Sequence, residues 1–232
     1  MKKKVIGISF ICFFLCLSWL GFSHSSFALP LVKESFFLSD EEVICLSAGD
    51  LLQPYFVEIN YPVTNYQELD QRIEEEIQKY VTEFERTLSS PAVQPNQAYS
   101  LLISYETYHY QSYLSYQFSV FMDTGGAHPN HFLWTIVFDQ EKEEIFMLTD
   151  WLKCQPNLLE FLSHYSRQEL IQKEGIVNTS MMIEGTKPTI ENFSHFVFDT
   201  QGVIFFFEYY QVAPYSSGEF QILIPYEQIK NG

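Results

Sequence analysis

Thr124-Gly125-Gly126-Ala127-His128-Pro129-Asn130 joins two strand-like runs through residues with unusual backbone behaviour. Glycines at 125 and 126 take positive φ at little steric cost, while Pro129 fixes its own φ and pushes His128 toward extended geometry. The stretch therefore orders a sharp, stiff corner. It has two readings: the end of a hairpin with one satisfied histidine, or a place where backbone approaches a ligand with an imidazole beside it. Turn chemistry alone accounts for both glycines and the proline.

Upstream of the corner, Leu101, Ile103, Tyr105 and Thr107 alternate with Leu102, Ser104, Glu106 and Tyr108, and Leu114, Tyr116, Phe118 and Val120 repeat the habit. A short connection at Gln111-Ser112 makes these two strands a hairpin. Residues 132–138 leave the corner as a third strand, and residues 139–144 form a charged turn before 145–148, so the reading is an antiparallel meander. Farther upstream, residues 43–46 and 55–61 are short strands, the second ended by Pro62. Between them and the meander the period changes: Leu69, Ile73, Ile77, Val81, Phe84 and Leu88 recur at steps of three or four, with Asn65 and Glu68 spaced as a capping box. The meander packs against this helix.

Downstream, Thr149-Asp150 suits the cap of a short turn, residues 157–173 form a helix ended by Gly175, and residues 176–189 form a loop. Residues 195–198 and 203–207 pair across Asp199-Thr200-Gln201-Gly202 as a hairpin. Phe205-Phe206-Phe207 is apolar on both faces and must be covered on both. A tyrosine-rich loop at 209–218 leads to a last strand at 220–224, ended by Pro225. The fold class is α+β, with two small lobes whose antiparallel sheets each pack against a helix.

At the N-terminus, Met1-Lys2-Lys3-Lys4, an apolar run over 5–22 and Ser26-Phe27-Ala28 have the form of a secretory signal, residues 1–28. Cleavage after Ala28 is the expectation, with an uncleaved single-span anchor as the alternative. Cys12 and Cys16 lack the small residues that precede a lipoprotein cysteine, so no lipid anchor is expected. Either way the remainder faces outside the cytoplasmic membrane, and membrane contact is expected only through an uncleaved N-terminal segment. Removing the three lysines of residues 1–28 from the formal net charge of -16 leaves -19. So acidic a surface repels nucleic acid and favours cationic partners, and it equally serves solubility. Hydrophobic residues at 47% and aromatic residues at 17% exclude a disordered chain. Beyond the signal only Cys45 and Cys154 remain; an oxidising exterior suits one disulfide between them, which spacing leaves open.

Gly125-Gly126-Ala127-His128-Pro129, taken together with Tyr210-Gln211-Val212-Ala213-Pro214-Tyr215, Gly218 and Ile224-Pro225-Tyr226, resembles the paired extracytoplasmic domains of the lysozyme-sensing anti-sigma factor RsiV and of the non-catalytic region of the peptidoglycan deacetylase PdaC. The resemblance covers residues 45–229. Tyr61-Pro62-Val63 and the long helix resemble the first domain, placed at 40–139, and Leu148-Thr149-Asp150 onward resembles the second, placed at 140–232. It implies an extracytoplasmic module that binds a protein such as lysozyme, another cationic envelope protein, or peptidoglycan. It supplies no catalytic site. The chain lacks a sigma-binding segment before the apolar run and ends soon after Tyr226, so neither anti-sigma nor deacetylase activity is expected. The aspartate and His-x-x-x-His zinc motif of such a deacetylase is also missing, since His128-Pro129-Asn130-His131 has a different spacing.

Candidate ligand-binding residues are Gly125, Gly126, His128 and Asn130 at the corner, and Tyr209, Tyr210, Gln211 and Tyr215 in the aromatic loop. Tyrosines bury large rigid area, keep a hydroxyl for a polar contact and stack on sugar rings. The alternative function is a hydrolase acting on cell-wall polysaccharide, with His128 as general base, Asp123 orienting it and His131 or Glu219 nearby. No nucleophile elbow, zinc-binding helix motif or phosphate loop accompanies them, so neither cofactor nor metal is expected. A third reading, an inhibitor of a lytic enzyme, shares the same fold.

Overall fold

The apolar stripe that begins at Leu69 lies on α1 (Gln67–Leu88), which buries Leu69, Ile73, Ile77, Val81 and Phe84. The computed structural model describes residues 31–38, 41–50, 55–89, 98–173 and 179–231. The expected signal segment at 1–28 lies outside the described residues, as does most of the loop that follows α1. Among the described residues no helix is long and apolar enough to cross a membrane.

The helix starts differently from the expected capping box. Its N-cap is Tyr66, without a side-chain cap bond. The Thr64 hydroxyl instead accepts from the Tyr66 N–H at 3.1 Å, while the Thr64 N–H and hydroxyl donate to Asp70 Oδ1 at 2.8 and 2.7 Å. The Thr64 hydroxyl thus accepts a backbone N–H as the Asn65 side chain was expected to, and Asp70 reaches back as Glu68 was expected to.

Around α1 the chain lays down β1 (Val32–Leu38), β2 (Glu41–Asp50), β3 (Tyr55–Val63), β4 (Tyr99–Tyr110), β5 (Tyr113–Asp123), β6 (Asn130–Asp139) and the two-residue β7 (Glu144–Ile145). They form one seven-stranded sheet in sequence order. The expected hairpin at Gln111-Ser112 is present, with Tyr110 opposite Tyr113. The antiparallel expectation fails at one pair: β3 and β4 run parallel, with Tyr55 opposite Tyr99. The cause is length, since the 22 residues of α1 rise about 33 Å, matching about 30 Å for the nine residues of β3. The helix therefore returns the chain to the end of the sheet where β3 began, and a parallel crossover results.

Strand alternation gives the sheet two unlike faces. Val57, Ile59, Leu101, Ile103, Tyr116, Phe118, Val120 and Trp134 form one core with α1. Trp134 and Phe118 stack there at 3.9 Å with their planes 2° apart. Each such fully buried side chain stabilises the fold by about 1.5–3 kcal/mol. The far face carries Ser115, Gln117, Leu133, Thr135 and Val137 and meets a second sheet.

That sheet has the order β10 (Phe220–Pro225), β9 (Gly202–Phe207), β8 (Phe196–Asp199), all antiparallel. Its β8 edge lies against β4, β5 and β6. The Phe196 N–H donates to Thr135 Oγ1 at 3.0 Å and the Phe198 N–H to Ser115 Oγ at 3.4 Å. The phenylalanine run is covered on both faces, as expected: Phe205 and Phe207 join the core built with α2 (Leu148–Cys154) and α3 (Leu158–Leu170), while Phe206 meets Leu133 and Val197 between the sheets. The expected strand at 145–148 is cut short because Leu148 opens α2. Asp150 accepts the Met147 N–H there at 3.0 Å. The segment expected to be a loop contains α4 (Thr179–Gly185), and the chain closes on α5 (Tyr226–Asn231).

Cys45 and Cys154 are free thiols, so the expected disulfide is not formed. Cys45 stands half-buried on β2 opposite Glu34 and Asn60, whereas Cys154 is exposed at the end of α2 beside the second core. The two elements belong to different layers. Burial, then Glu58 and Glu34, push the Cys45 thiol above its ordinary pKa.

Candidate functional site

The corner and the tyrosine loop, 86 residues apart in sequence at Pro129 and Tyr215, are brought together. At the corner only Gly125 takes positive φ, at 78°. Its N–H is held by Asp123 Oδ1 at 2.9 Å, which shapes the turn. Gly126 is exposed and is not among the positive-φ glycines, so the expected paired requirement reduces to one position.

The Tyr215 hydroxyl donates to the Pro129 carbonyl at 2.8 Å, and its ring stacks on His128 at 4.2 Å. His128 Nδ1 lies 2.9 Å from the same carbonyl, which can only accept, so Nδ1 carries the proton. From there the rings continue. Tyr215 lies 4.9 Å from Tyr209, Tyr209 stacks on His131 at 4.7 Å, and His131 meets Phe121 edge-on at 5.2 Å. Tyr210, 56% exposed and at φ 66°, caps Tyr215 from outside at 5.4 Å.

Gln211 holds this loop in place. Its Oε1 accepts the Glu208 N–H, and its Nε2 donates to the carbonyls of Gly185 and Asn192, all at 3.0 Å. The amide is fully engaged inside the protein, which gives Gln211 a structural role. Gly185 makes the approach possible, since a Cβ there would sit 2.0 Å from the Gln211 carbonyl oxygen. Asn130 is exposed at the start of β6 opposite Met122.

Next to the aromatic stack, a cleft of about 260 Å³ opens on the far face of the large sheet. Its floor is Leu102 and Ser104 of β4 with Ser119 and Phe121 of β5. His131 and Tyr209 wall it, the neighbouring Phe132, whose ring turns to Tyr80 of α1 on the other face, completes the lining, and Glu219 stands at the rim. Of the sequence candidates for binding, only Tyr209 lines it; His128 and Tyr215 buttress that tyrosine. Ser104, Ser119 and Phe121 were missed. Their signal was present in the alternation of β4 and β5, which puts Leu102 opposite Phe121 and Ser104 opposite Ser119 on one face.

Electrostatics at the cleft are one-sided. Partial burial, then the charge on His128, holds His131 below the usual histidine range. Partial desolvation, then the charges of Glu106 and Glu208, push Glu219 above the usual carboxylate range. The arrangement suits stacking and hydrogen bonding. The pair proposed for base catalysis is not joined, because Asp123 Oδ1 is occupied by the Gly125 N–H and His128 Nδ1 faces Pro129. Among the described residues no three His, Cys, Asp or Glu side chains converge in the manner of metal ligands. His109 and His164 are exposed outside the site, and His195 sits half-buried near Glu208.

Comparison with known proteins follows the two halves of the chain. Residues 50–131 match the family model described as deacetylase PdaC, and residues 145–227 match that of a protein of unknown function, DUF3298. The peptidoglycan-N-acetylmuramic acid deacetylase PdaC of Bacillus subtilis is 27% identical over 176 residues, which are 75% of this chain and 38% of that protein. The chain thus matches well under half of the relative's length. A DUF3298 family crystal structure from Pseudomonas aeruginosa superposes with a TM-score of 0.57 at 16% identity, covering 88% of this chain and 95% of the other. A second, from Bacteroides fragilis, gives 0.51 at 18% identity with 88% and 94% covered. These two establish a shared fold. The chain carries a PdaC-type domain at residues 50–131 followed by a DUF3298 domain at residues 145–227.

Proposed function

We propose that this protein is a non-enzymatic module of the bacterial envelope, exposed outside the cytoplasmic membrane, that binds cell-wall glycan in the cleft beside Tyr209. The observation that carries the reading is the cleft itself: aromatic walls, two serine hydroxyls on its floor and one carboxylate at its rim. Aromatic faces stack on the apolar face of a sugar ring, while serine and carboxylate oxygens take up its hydroxyls. At about 260 Å³ the cleft falls just below the usual size of small-molecule sites and suits a single ring. The stack behind Tyr209 holds that ring in place before any ligand arrives, which lowers the entropic cost of binding. The likeness to a peptidoglycan deacetylase supports an envelope setting.

Calorimetric titration with soluble peptidoglycan fragments tests this. Saturable binding that Tyr209→Ala abolishes, with the thermal transition retained, is the expected result; no heat with any fragment would overturn it. A second reading, capture of a cationic protein such as lysozyme, is favoured by the charge of -19 beyond residues 1–28, taken from -16 with three lysines removed. Lysozyme binding that survives moderate salt and is indifferent to Tyr209→Ala would replace the glycan reading with this one.

A further inference from the structure

Glu219 stands at the rim of the cleft with no hydrogen-bond or ion-pair partner among the described residues. The charged groups that act on it are two more acids. Glu106, on β4, accepts the Tyr108 hydroxyl at 2.7 Å, and Glu208, just beyond β9, accepts the Leu133 N–H at 3.3 Å. Both neighbours are therefore anchored, and neither relieves Glu219. The cations of the described ion pairs lie elsewhere: Arg72, Lys79 and Arg86 on α1, Lys142 in the turn after β6, Lys153 on α2 and Lys187 after α4. No lysine or arginine lines the cleft. Glu219 stays exposed to water, but a carboxylate beside two like charges and without a partner leaves the empty site under repulsion. A cation delivered by the ligand would remove that repulsion.

Resting on the glycan reading, we propose that the cleft selects sugars carrying a free, protonated amine over their N-acetylated counterparts. The ring of such a sugar stacks on Tyr209 and its hydroxyls meet Ser104 and Ser119. Its ammonium group lies against Glu219 and within the field of Glu106 and Glu208. An N-acetyl group in the same place offers one neutral amide N–H and no charge, so the repulsion around Glu219 would persist. A protein lysine or arginine also answers the charge, but it brings no ring hydroxyls to Ser104 and to Ser119, whose oxygen accepts from Gln117 Nε2 at 2.9 Å and whose O–H is left to donate; it is the competing outcome of the test. The direction of the Glu219 shift agrees with this assignment, because a cation in the cleft would draw that pKa back down. The other titratable groups facing the cleft are His131 on β6 and Tyr209 beyond β9.

The test is calorimetric titration of the purified protein at moderate salt and mildly acidic pH, which keeps the sugar amine protonated. The two ligands are oligomers of β-1,4-linked glucosamine and of N-acetylglucosamine, equal in length. The free-amine oligomer is expected to bind tighter by about threefold or more, the range of a partly exposed charge contact. Glu219→Gln is expected to erase that preference. Glu160→Gln, an equal charge change at an exposed site on α3, is expected to keep it. A smaller or reversed preference, or one that persists in Glu219→Gln, overturns the amine assignment and leaves the glycan reading standing. If neither oligomer binds while polylysine or lysozyme does, both readings fall.

Discussion

Tyr215 donates its hydroxyl to the Pro129 carbonyl at 2.8 Å across 86 residues of chain, and its ring lies 4.2 Å from that of His128. One side chain therefore locks the glycine corner to the tyrosine loop. Tyr215→Phe keeps the stack and removes the bond, with an expected cost of about 1 kcal/mol and a fall in Tm of about 2–4 °C. Tyr215→Ala removes both, and thermal melts should show a clearly larger fall.

Gly185 and Gly126 should respond oppositely to the same added methyl. At Gly185 the new Cβ would meet the Gln211 carbonyl oxygen at 2.0 Å and its carbon at 2.7 Å, so backbone must move. Gly185→Ala is expected to cost about 1–3 kcal/mol in urea denaturation and to weaken glycan binding, because Gln211 anchors the loop. At Gly126 the nearest atom is the His128 oxygen at an ordinary 3.6 Å, and Gly126→Ala should stay within about 0.5 kcal/mol.

Phe206 and Leu223 test how the two sheets are joined. Phe206 is 5% exposed between the sheets and Leu223 is 38% exposed on β10. Phe206→Ala should lower stability by about 3–5 kcal/mol, whereas Leu223→Ala should cost about 1 kcal/mol or less. Comparable losses in chemical denaturation would mean that the inter-sheet cluster is not part of the core.

His131 and Glu219 give stability opposite pH dependences. The His131 pKa is depressed from an ordinary 6.5, so the fold disfavours its charged form. Its contribution is complete above pH 6.5 and is lost as pH falls through the lower folded value. The Glu219 pKa is raised from an ordinary 4.5; its contribution is complete below pH 4.5 and is lost as pH rises through the folded value. Melts across this range should therefore show Glu219→Gln stabilising at neutral pH and indifferent below pH 4.5. His131→Phe should remove the acid-side loss. Solvent exposure limits each effect to about 0.5 kcal/mol.

The two described thiols should react at different rates. Cys154 is exposed, whereas Cys45 is half-buried with its thiol pKa raised by burial and by Glu58 and Glu34. Alkylation at neutral pH followed by peptide mass spectrometry should find Cys154 modified well before Cys45, because the thiolate is the reacting form. Protection of both until a reductant is added would mean that they are bonded.

Much of the fold was legible. The 3.6-residue period of α1, the alternation of β4 and β5, and the hairpins at Gln111-Ser112 and Thr200-Gln201 all follow from local rules, and all are present. The misses have specific causes. The capping box was assigned to Asn65 and Glu68 because spacing cannot show that Thr64 and Asp70 bond instead. The helix α4 was hidden in a segment whose short apolar stretch is set by packing, with Met182 buried in the second core and Arg167 donating to Thr186 Oγ1 at 2.8 Å. At the site, the corner and the tyrosine loop were both identified as surfaces, but Gln211 was taken for a ligand group although its amide is spent inside the protein.

What the sequence by itself determined is which face of each element is apolar and where the chain must turn. Those properties depend on residues within a few positions of one another, on Gly125 taking positive φ, and on the covered faces of Phe205, Phe206 and Phe207. Only the tertiary structure decided that β3 and β4 run parallel, that the small sheet seats on the far face of the large one, and that Ser104, Ser119, Tyr209 and Glu219 surround one cleft. These follow from contacts between residues tens of positions apart, and such contacts depend on how whole layers fit together and leave no period in the chain.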